Sequence, residues 1–179
     1  GVVTNANDPR LSRIGQEIAD SGIAVDYFGV ASNLEAFFPS DNELVSIRTK
    51  DDTTIAGPLH QPSVELTAFE AQTASYKLGD KVYQTSLKVT GQHNFQNAAA
   101  ALALARRLLP ETDDAQLVKQ LGEVGIAFGR GEIYTLTDGS QLQLVLVKNP
   151  ASFRQTLASY LSDQPQVMIA IIDNYADSR

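Results

Sequence analysis

The chain contains no cysteine. That excludes disulfides, thiol catalysis and thiolate metal sites, and it is compatible with residence in the cytosol. No apolar run approaches the roughly 20 residues needed to span a bilayer. No basic-plus-apolar leader is visible at the start. Positive charge is scarce: 14 Lys and Arg stand against 21 Asp and Glu, for a net charge of −7. Such a chain has no general electrostatic pull on nucleic acid or on an anionic membrane. Local positive sites for phosphate remain open. Internal repeats and low-complexity tracts are absent.

What is present is the composition of a globular protein, with 43% apolar and 20% charged residues. A length of 179 residues corresponds to one large domain or a domain and a fraction. Such a chain buries roughly two thirds of its unfolded surface. Val2-Val3-Thr4 reads as the end of a buried strand, and the stretch Ile169 to Ile172 as another. Both termini are expected to cut through folded architecture, so the chain is read as a piece of a longer protein.

Along the chain, Asp8 and Pro9 form an N-cap and first-turn pair. Leu11, Ile14 and Ile18 follow at helical spacing, and Gly22 closes the helix. Ala24 to Val30 reads as a second buried strand. Strand, helix and strand in this order predict an α/β sheet with parallel strands. From about Ala31 to Thr90 the texture becomes small antiparallel β structure. Glu43 to Thr49 and Lys81 to Val89 alternate, Gly57-Pro58 marks a loop, and Gly79-Asp80 marks a hairpin turn. An Ala/Leu-rich helix follows Asn94, with Ala98, Leu102, Ala105 and Leu109 on one face and Pro110 as its stop. Thr112 is expected to cap a further helix through Leu121, ended by Gly122. A hairpin is expected from Glu132 to Leu136 and Gln141 to Val147, turning at Asp138-Gly139. A helix from Asn149-Pro150 to Leu161 and a strand from Val167 to Ile172 complete the pattern.

Two strings carry chemistry. Gly91-Gln92-His93-Asn94-Phe95-Gln96-Asn97-Ala98 joins a β segment to a small-residue helix. Asn94 and Asn97 are three apart, which puts their amides on one side of the helix start. Carboxamides there can bond a purine edge or cap the helix. For an isolated Asn, capping is the preferred account; the complete string favours function. Phe128-Gly129-Arg130-Gly131-Glu132 is the second string. An Arg between glycines sits on a backbone free to approach phosphate, and its fork binds oxygens bidentately. A surface Arg in a flexible loop is the competing account.

The first string resembles the Mur ligase superfamily, in which Gly-x-His-Asn-x-x-Asn-Ala closes the central ATPase domain and the asparagines lie beside adenine. Asn5-Ala6-Asn7-Asp8-Pro9 resembles the family's Asn-x-Asp-Asp-Pro segment, with Asn7 in place of the first Asp. Helix capping is the competing account of Asn7-Asp8-Pro9. Gly129-Arg130-Gly131-Glu132 resembles the linker motif whose Arg approaches the ATP phosphates. Lys148-Asn149-Pro150-Ala151-Ser152-Phe153 and Asp173-Asn174-Tyr175-Ala176-Asp177-Ser178-Arg179 are similar to motifs of the MurT-type branch, with Ser178 in place of a Gly. The branch often carries a four-cysteine zinc ribbon between positions matching Ala31 and Thr90; this chain has no cysteine, so no zinc is inferred. The family's Gly-Lys-Thr phosphate loop is not found in this chain.

The resemblance implies an α/β fold. Residues 1–128 correspond to the C-terminal part of a Mur ligase central ATP-binding domain with a small antiparallel β region. Residues 129–179 correspond to the start of a Rossmann-like C-terminal domain. The implied reaction is ATP-dependent amidation of the D-glutamate α-carboxylate in the peptidoglycan stem peptide of lipid II, giving D-isoglutamine through an acyl phosphate. The implied cofactors are ATP and Mg2+, with the metal's ligands upstream of this chain. The implied partner is a GatD-type glutaminase that supplies ammonia, and the implied location is the cytoplasm, at the inner face of the membrane through the lipid-linked substrate. By the same resemblance Asn94 and Asn97 bind adenine, and Arg130 and Lys148 neutralise phosphate. Asp173, Asp177 or a carboxylate beyond Arg179 completes the partner's Cys–His arrangement, with loop capping as the equal alternative for the two aspartates. Two other readings stand beside this one. The chain belongs to an amino-acid-adding Mur ligase or a folylpolyglutamate synthase relative, or it is a nucleotide-binding or scaffolding module without turnover.

Overall fold

The computed structural model describes residues 1–38, 60–89, 91–125 and 130–147, together with Phe153, Thr156 and Leu157. The chain divides into two compact units, Gly1–Lys88 with Gln92–Gly125, and Val89–Gly91 with Ile126–Arg179. The expected boundary at 128/129 falls in 126–129, outside the described residues.

The first unit is built on one five-stranded sheet. Its strands are β1 (Val2–Asn5), β2 (Val25–Val30), β3 (Val64–Glu70), β4 (Thr73–Leu78) and β5 (Lys81–Ser86), in spatial order β1-β2-β3-β4-β5. The β1/β2 and β2/β3 pairs are parallel, and the β3/β4 and β4/β5 pairs are antiparallel. The antiparallel segment expected from the alternating texture therefore continues the parallel sheet. It grows from the edge of β3 through two hairpin turns, the second at Gly79-Asp80 as expected.

Helices cover both faces of this sheet. Helix α1 (Pro9–Asp20) lies on one. Asp8 caps it, accepting from the backbone N–H of Arg10 and Leu11, and Pro9 occupies its first turn. The apolar stripe that identified this helix packs only in part, with Ile18 half-buried. Leu11 and Ile14 are exposed, while Ser12 and Gly15 are buried. The reason is close approach: a Cβ on Gly15 would sit 2.7 Å from the Tyr27 hydroxyl and 3.0 Å from the Thr4 methyl. Only small side chains fit between the helix and the sheet there.

Helices α2 (His93–Leu108) and α3 (Asp114–Glu123) cover the opposite face. Between them and the sheet lie Val64, Leu66, Tyr76, Leu78, Phe95, Ala98, Ala99, Leu102, Leu117 and Val118, all buried. Each large apolar side chain buried here contributes about 1.5–3 kcal/mol. Ala98 and Leu102 face the sheet as expected, but Leu109 is exposed and Phe95, Ala99 and Ala103 complete the buried face. Pro110 follows the end of α2, as read. The next helix departs from expectation at both ends. Asp113, not Thr112, is its cap and accepts from the Ala115 N–H at 3.1 Å. Gly122 lies inside α3 and does not end it. A Cβ at Gly122 would meet the Thr85 hydroxyl at 2.5 Å and the Ser86 carbonyl at 3.1 Å. This glycine lets α3 touch β5; it is a packing residue.

The amino-terminal end of the sheet is tied by charge. Arg107 pairs with Asp26 of β2 at 2.5 Å, and Arg106 pairs with Asp114 at 2.8 Å and donates to the Ser63 carbonyl at 3.0 Å. A cavity of about 550 Å³ opens among these groups. Both guanidinia that wall it are already bonded.

The described part of the second unit is a hairpin of β6 (Arg130–Thr135) and β7 (Gln141–Val145), antiparallel. It turns at Asp138-Gly139 as read. The Asp138 carboxylate accepts from the Ser140 N–H and hydroxyl, which hold its pKa below the ordinary carboxylate value. Of the expected helix from 150 to 161, the described Phe153, Thr156 and Leu157 are helical. The expected segment 43–49, the loop at 57–58 and the strand 167–172 lie outside the described residues.

Candidate functional site

The carboxyl ends of β1, β2 and β3 converge with the start of α2. Three segments leave the parallel strands at this end, where α/β folds place ligands.

The first is Asn5-Ala6-Asn7-Asp8-Pro9, leaving β1. Capping accounts for Asp8 but not for Asn7. Asn7 reaches across to β2: its Oδ1 accepts from the Val30 N–H at 2.8 Å, and its Nδ2 donates to the Val30 carbonyl at 3.0 Å. The same Nδ2 donates to Oε1 of Glu35 at 3.0 Å. The amide thus pairs with β2 like a short extra strand and holds the segment after it. An Asp in its place has nothing to donate to either oxygen. Asn7→Asp is therefore expected to lower stability by about 2 kcal/mol through lost bonds and carboxylate repulsion. Urea unfolding of the two proteins checks it, and equal stabilities would remove Asn7 from this role.

The second segment is the 3-10 helix Ser32–Phe37, leaving β2 and carrying Glu35, Phe37 and, just after it, Phe38. The third is the end of β3. The β3/β4 register shifts between Leu66 and Ala68, so Thr67 is an extra residue. Strand side chains alternate between faces, and one extra residue inverts the alternation. Leu66 pairs with Tyr76 and Phe69 with Ala74, so the bulge returns Phe69 to the α2 face. There Phe69 stacks on Phe95 with ring centroids 5.1 Å apart.

Helix α2 enters through Gly91, whose φ of +96° is a conformation side chains disfavour. Gln92 is the N-cap residue and makes no side-chain capping bond. Asn94 sits inside the first turn and is not the cap. Instead the two carboxamides meet, Asn97 Nδ2 donating to Asn94 Oδ1 at 3.3 Å. The turn is anchored beneath by Tyr76, whose hydroxyl donates to the Phe95 carbonyl at 3.1 Å.

Of the residues singled out by sequence, the structure brings Asn94 and Asn97 together. Arg130 belongs to the other unit. It does not lie in a loop: it is the first residue of β6, opposite Val145, with a register shift between it and Glu132 that makes Gly131 the extra residue. Lys148, Asp173 and Asp177 lie outside the described residues. Phe37, Phe38, Phe69 and Tyr76 were not singled out. The one sequence signal was the phase break in β3, where Val64 and Leu66 keep even positions and Phe69 does not.

No family model and no curated protein matches the chain. Solved structures do. A pseudomurein peptide ligase type C from Methanothermus fervidus is similar with TM-score 0.61 and 18% identity, over 88% of this chain and 33% of that one. UDP-N-acetylmuramoylalanyl-D-glutamyl-2,6-diaminopimelate–D-alanyl-D-alanyl ligase from Acinetobacter baumannii is similar with TM-score 0.60 and 22% identity, over 90% of this chain and 30% of that one. A crystal structure of MurF from the same organism gives TM-score 0.59 and 22% identity, over 90% of this chain and 29% of that one. The chain has the fold of part of a Mur ligase. It spans about a third of the length of the structures it matches. In this Mur ligase fold the mixed sheet and its two helical layers agree with the α/β architecture read from the sequence. Among the described residues no helix is long and apolar enough to cross a membrane.

Proposed function

We propose that this chain is the nucleotide-binding part of an ATP-dependent carbon–nitrogen ligase of the MurT type. The observation that carries the reading is the Asn94–Asn97 amide pair at the start of α2, on a Mur ligase fold. Paired carboxamides offer donors and acceptors together. Adenine presents the same mixture, with an amino donor and ring-nitrogen acceptors. The residues present therefore fit the base of ATP.

In this reading a substrate carboxylate oxygen attacks the γ-phosphorus and ADP leaves. Ammonia then attacks the acyl carbon, phosphate leaves and a proton is released. The acid is the D-glutamate α-carboxylate of the lipid II stem peptide. The chain's own tasks are to hold the base, neutralise the transferring phosphate and exclude water from the activated acid. Asn94 and Asn97 serve the first, and Arg130 and Lys148 the second. Mg2+ would supply further neutralisation of the triphosphate. Among the described residues no group of three or more His, Asp or Glu stands ready for a metal ion. The partner is a GatD-type glutaminase, with Asp173 or Asp177 orienting its catalytic histidine, and the reaction belongs to the cytoplasmic face of the membrane.

The likeness to MurF and to a pseudomurein peptide ligase favours a second reading, addition of an amino acid or peptide to an activated carboxylate. Turnover of the intact protein with lipid II and ATP separates the two. Isoglutamine formed from ammonia or from glutamine plus the glutaminase supports the first. Product formed only with an amino acid or dipeptide supports the second. Absence of ATP turnover with every donor leaves a binding module.

The base-binding role has its own test. Asn97→Ala in the intact protein is expected to raise the KM for ATP several-fold with little loss of kcat, as for a contact kept through the reaction. An unchanged KM would return Asn97 to a structural role.

A further inference from the structure

Two buried hydroxyls lie where α1 meets the sheet, Ser12 Oγ and Tyr27 Oη, and neither has a hydrogen-bond partner among the described residues. Ser12 is 0% exposed and Tyr27, in β2, 9% exposed. Both belong to one contact. Ser12 and Gly15 are the buried residues of α1, and the place a Gly15 Cβ would take is 2.7 Å from the Tyr27 hydroxyl. Positions three apart on a helix stand about 5–6 Å from each other. The two hydroxyls are therefore neighbours under the same stretch of helix, yet they make no bond to each other. Tyr27 is also held from its other side. Its ring lies flat on His60, with centroids 4.3 Å apart and an interplanar angle of 14°.

A buried hydroxyl gives up its hydration, and without a partner it recovers nothing in return. Buried polar groups are for that reason almost always bonded. The close approach of α1 does not by itself call for these oxygens. Alanine at position 12 is as small as the contact requires and is the better helix former, and phenylalanine at position 27 keeps the ring that meets His60. One small group that both donates and accepts, set between the two oxygens, accounts for both at once. Water is such a group. With bonds of ordinary length it bridges oxygens up to about 5.5 Å apart, and buried waters make two to four bonds to polar groups that the protein leaves open.

We propose that the contact between α1 and β2 is a binding site for one structural water, bridging Ser12 Oγ and Tyr27 Oη. The site stands apart from the nucleotide reading above and does not depend on it. Its role is to fasten the start of α1 to β2. The Asn7 amide does the same three residues further along that strand, through Val30.

Urea unfolding of wild type, Ser12→Ala, Tyr27→Phe and the double variant tests the proposal, beside a crystal structure of the wild-type protein. Each substitution removes one oxygen and no carbon, so the packing is kept. Each single variant leaves a hydroxyl or the water short of a bond, and its unfolding constant is expected to rise about fivefold. Groups that share one partner are not additive. The double variant removes the whole polar set, and its unfolding constant should rise well short of the roughly 25-fold product of two independent fivefold losses. The crystal structure should show one water about 2.6–3.2 Å from both oxygens. Single variants as stable as wild type overturn the proposal, and so do losses that multiply independently. Density that shows Ser12 Oγ turned onto the Asp8 carbonyl, with no water between helix and strand, overturns it as well.

Discussion

Tyr76→Ala is expected to destabilise the first unit by about 3–5 kcal/mol, the range for removing a large ring from a packed core. Tyr76 is completely buried, at 0% exposure. It sits mid-strand in β4, opposite Leu66 on one side and Tyr83 on the other. A domain of this size is stable by only about 5–15 kcal/mol, so the loss is a large fraction of the whole. The hydroxyl adds a separate term. Burial pushes its pKa up, so it stays protonated and remains a donor to the Phe95 carbonyl. Tyr76→Phe removes only that bond and is expected to cost about 1 kcal/mol. Urea unfolding of the three proteins measures both steps. The bond also ties the first turn of α2 to the sheet, so Tyr76→Phe should weaken ATP binding beyond what its small stability loss explains. A Tyr76→Ala protein as stable as wild type would mean that the core does not centre on β4.

Much of the framework was readable because it rests on local rules. Asp8-Pro9 starts a helix wherever the chain permits one, and Pro110 stops one. Gly79-Asp80 and Asp138-Gly139 turn hairpins for reasons confined to two residues. What was not readable depends on distance. The Leu11, Ile14 and Ile18 spacing identified α1 correctly, but which face packs was decided by Tyr27 and Thr4 on the sheet below. Gly122 looked like a terminator, because a glycine after a periodic run usually is one. Its role follows from Thr85 and Ser86, some 36 positions earlier in the chain. The candidate site divides in the same way. Asn94 and Asn97 stand three apart on one helix, so their meeting was implicit in the spacing. Phe37, Phe69 and Phe95 come from three elements, and only the sheet order and the Thr67 bulge assemble them. Asn7 looked like part of a cap, and its actual partners, Val30 and Glu35, are more than twenty residues away.

Arg130→Ala in the intact protein is expected to lower kcat roughly a hundredfold, the usual loss when one donor to a developing charge is removed. The backbone there is held by strand pairing. Arg130 opens β6 opposite Val145, and the register shift beside it marks Gly131 as a bulge. Bulges bend a strand and re-aim the neighbouring side chain, and a strand end is more sharply defined than a free loop. The guanidinium has the further advantage of two parallel donors that match phosphate oxygens. Charge on the transferring phosphoryl group changes between ground and transition states, so the loss should fall on kcat more than on the KM for ATP. Arg130→Lys keeps the charge but not the fork, and its kcat should lie between those of wild type and Arg130→Ala. Steady-state kinetics over ATP concentration, with thermal melts to confirm that the hairpin still folds, provide the measurement. Wild-type kcat in Arg130→Ala would reduce the residue to a structural part of the bulge. A rise in KM with kcat unchanged would make it a ground-state anchor for ATP, with no special affinity for the transition state.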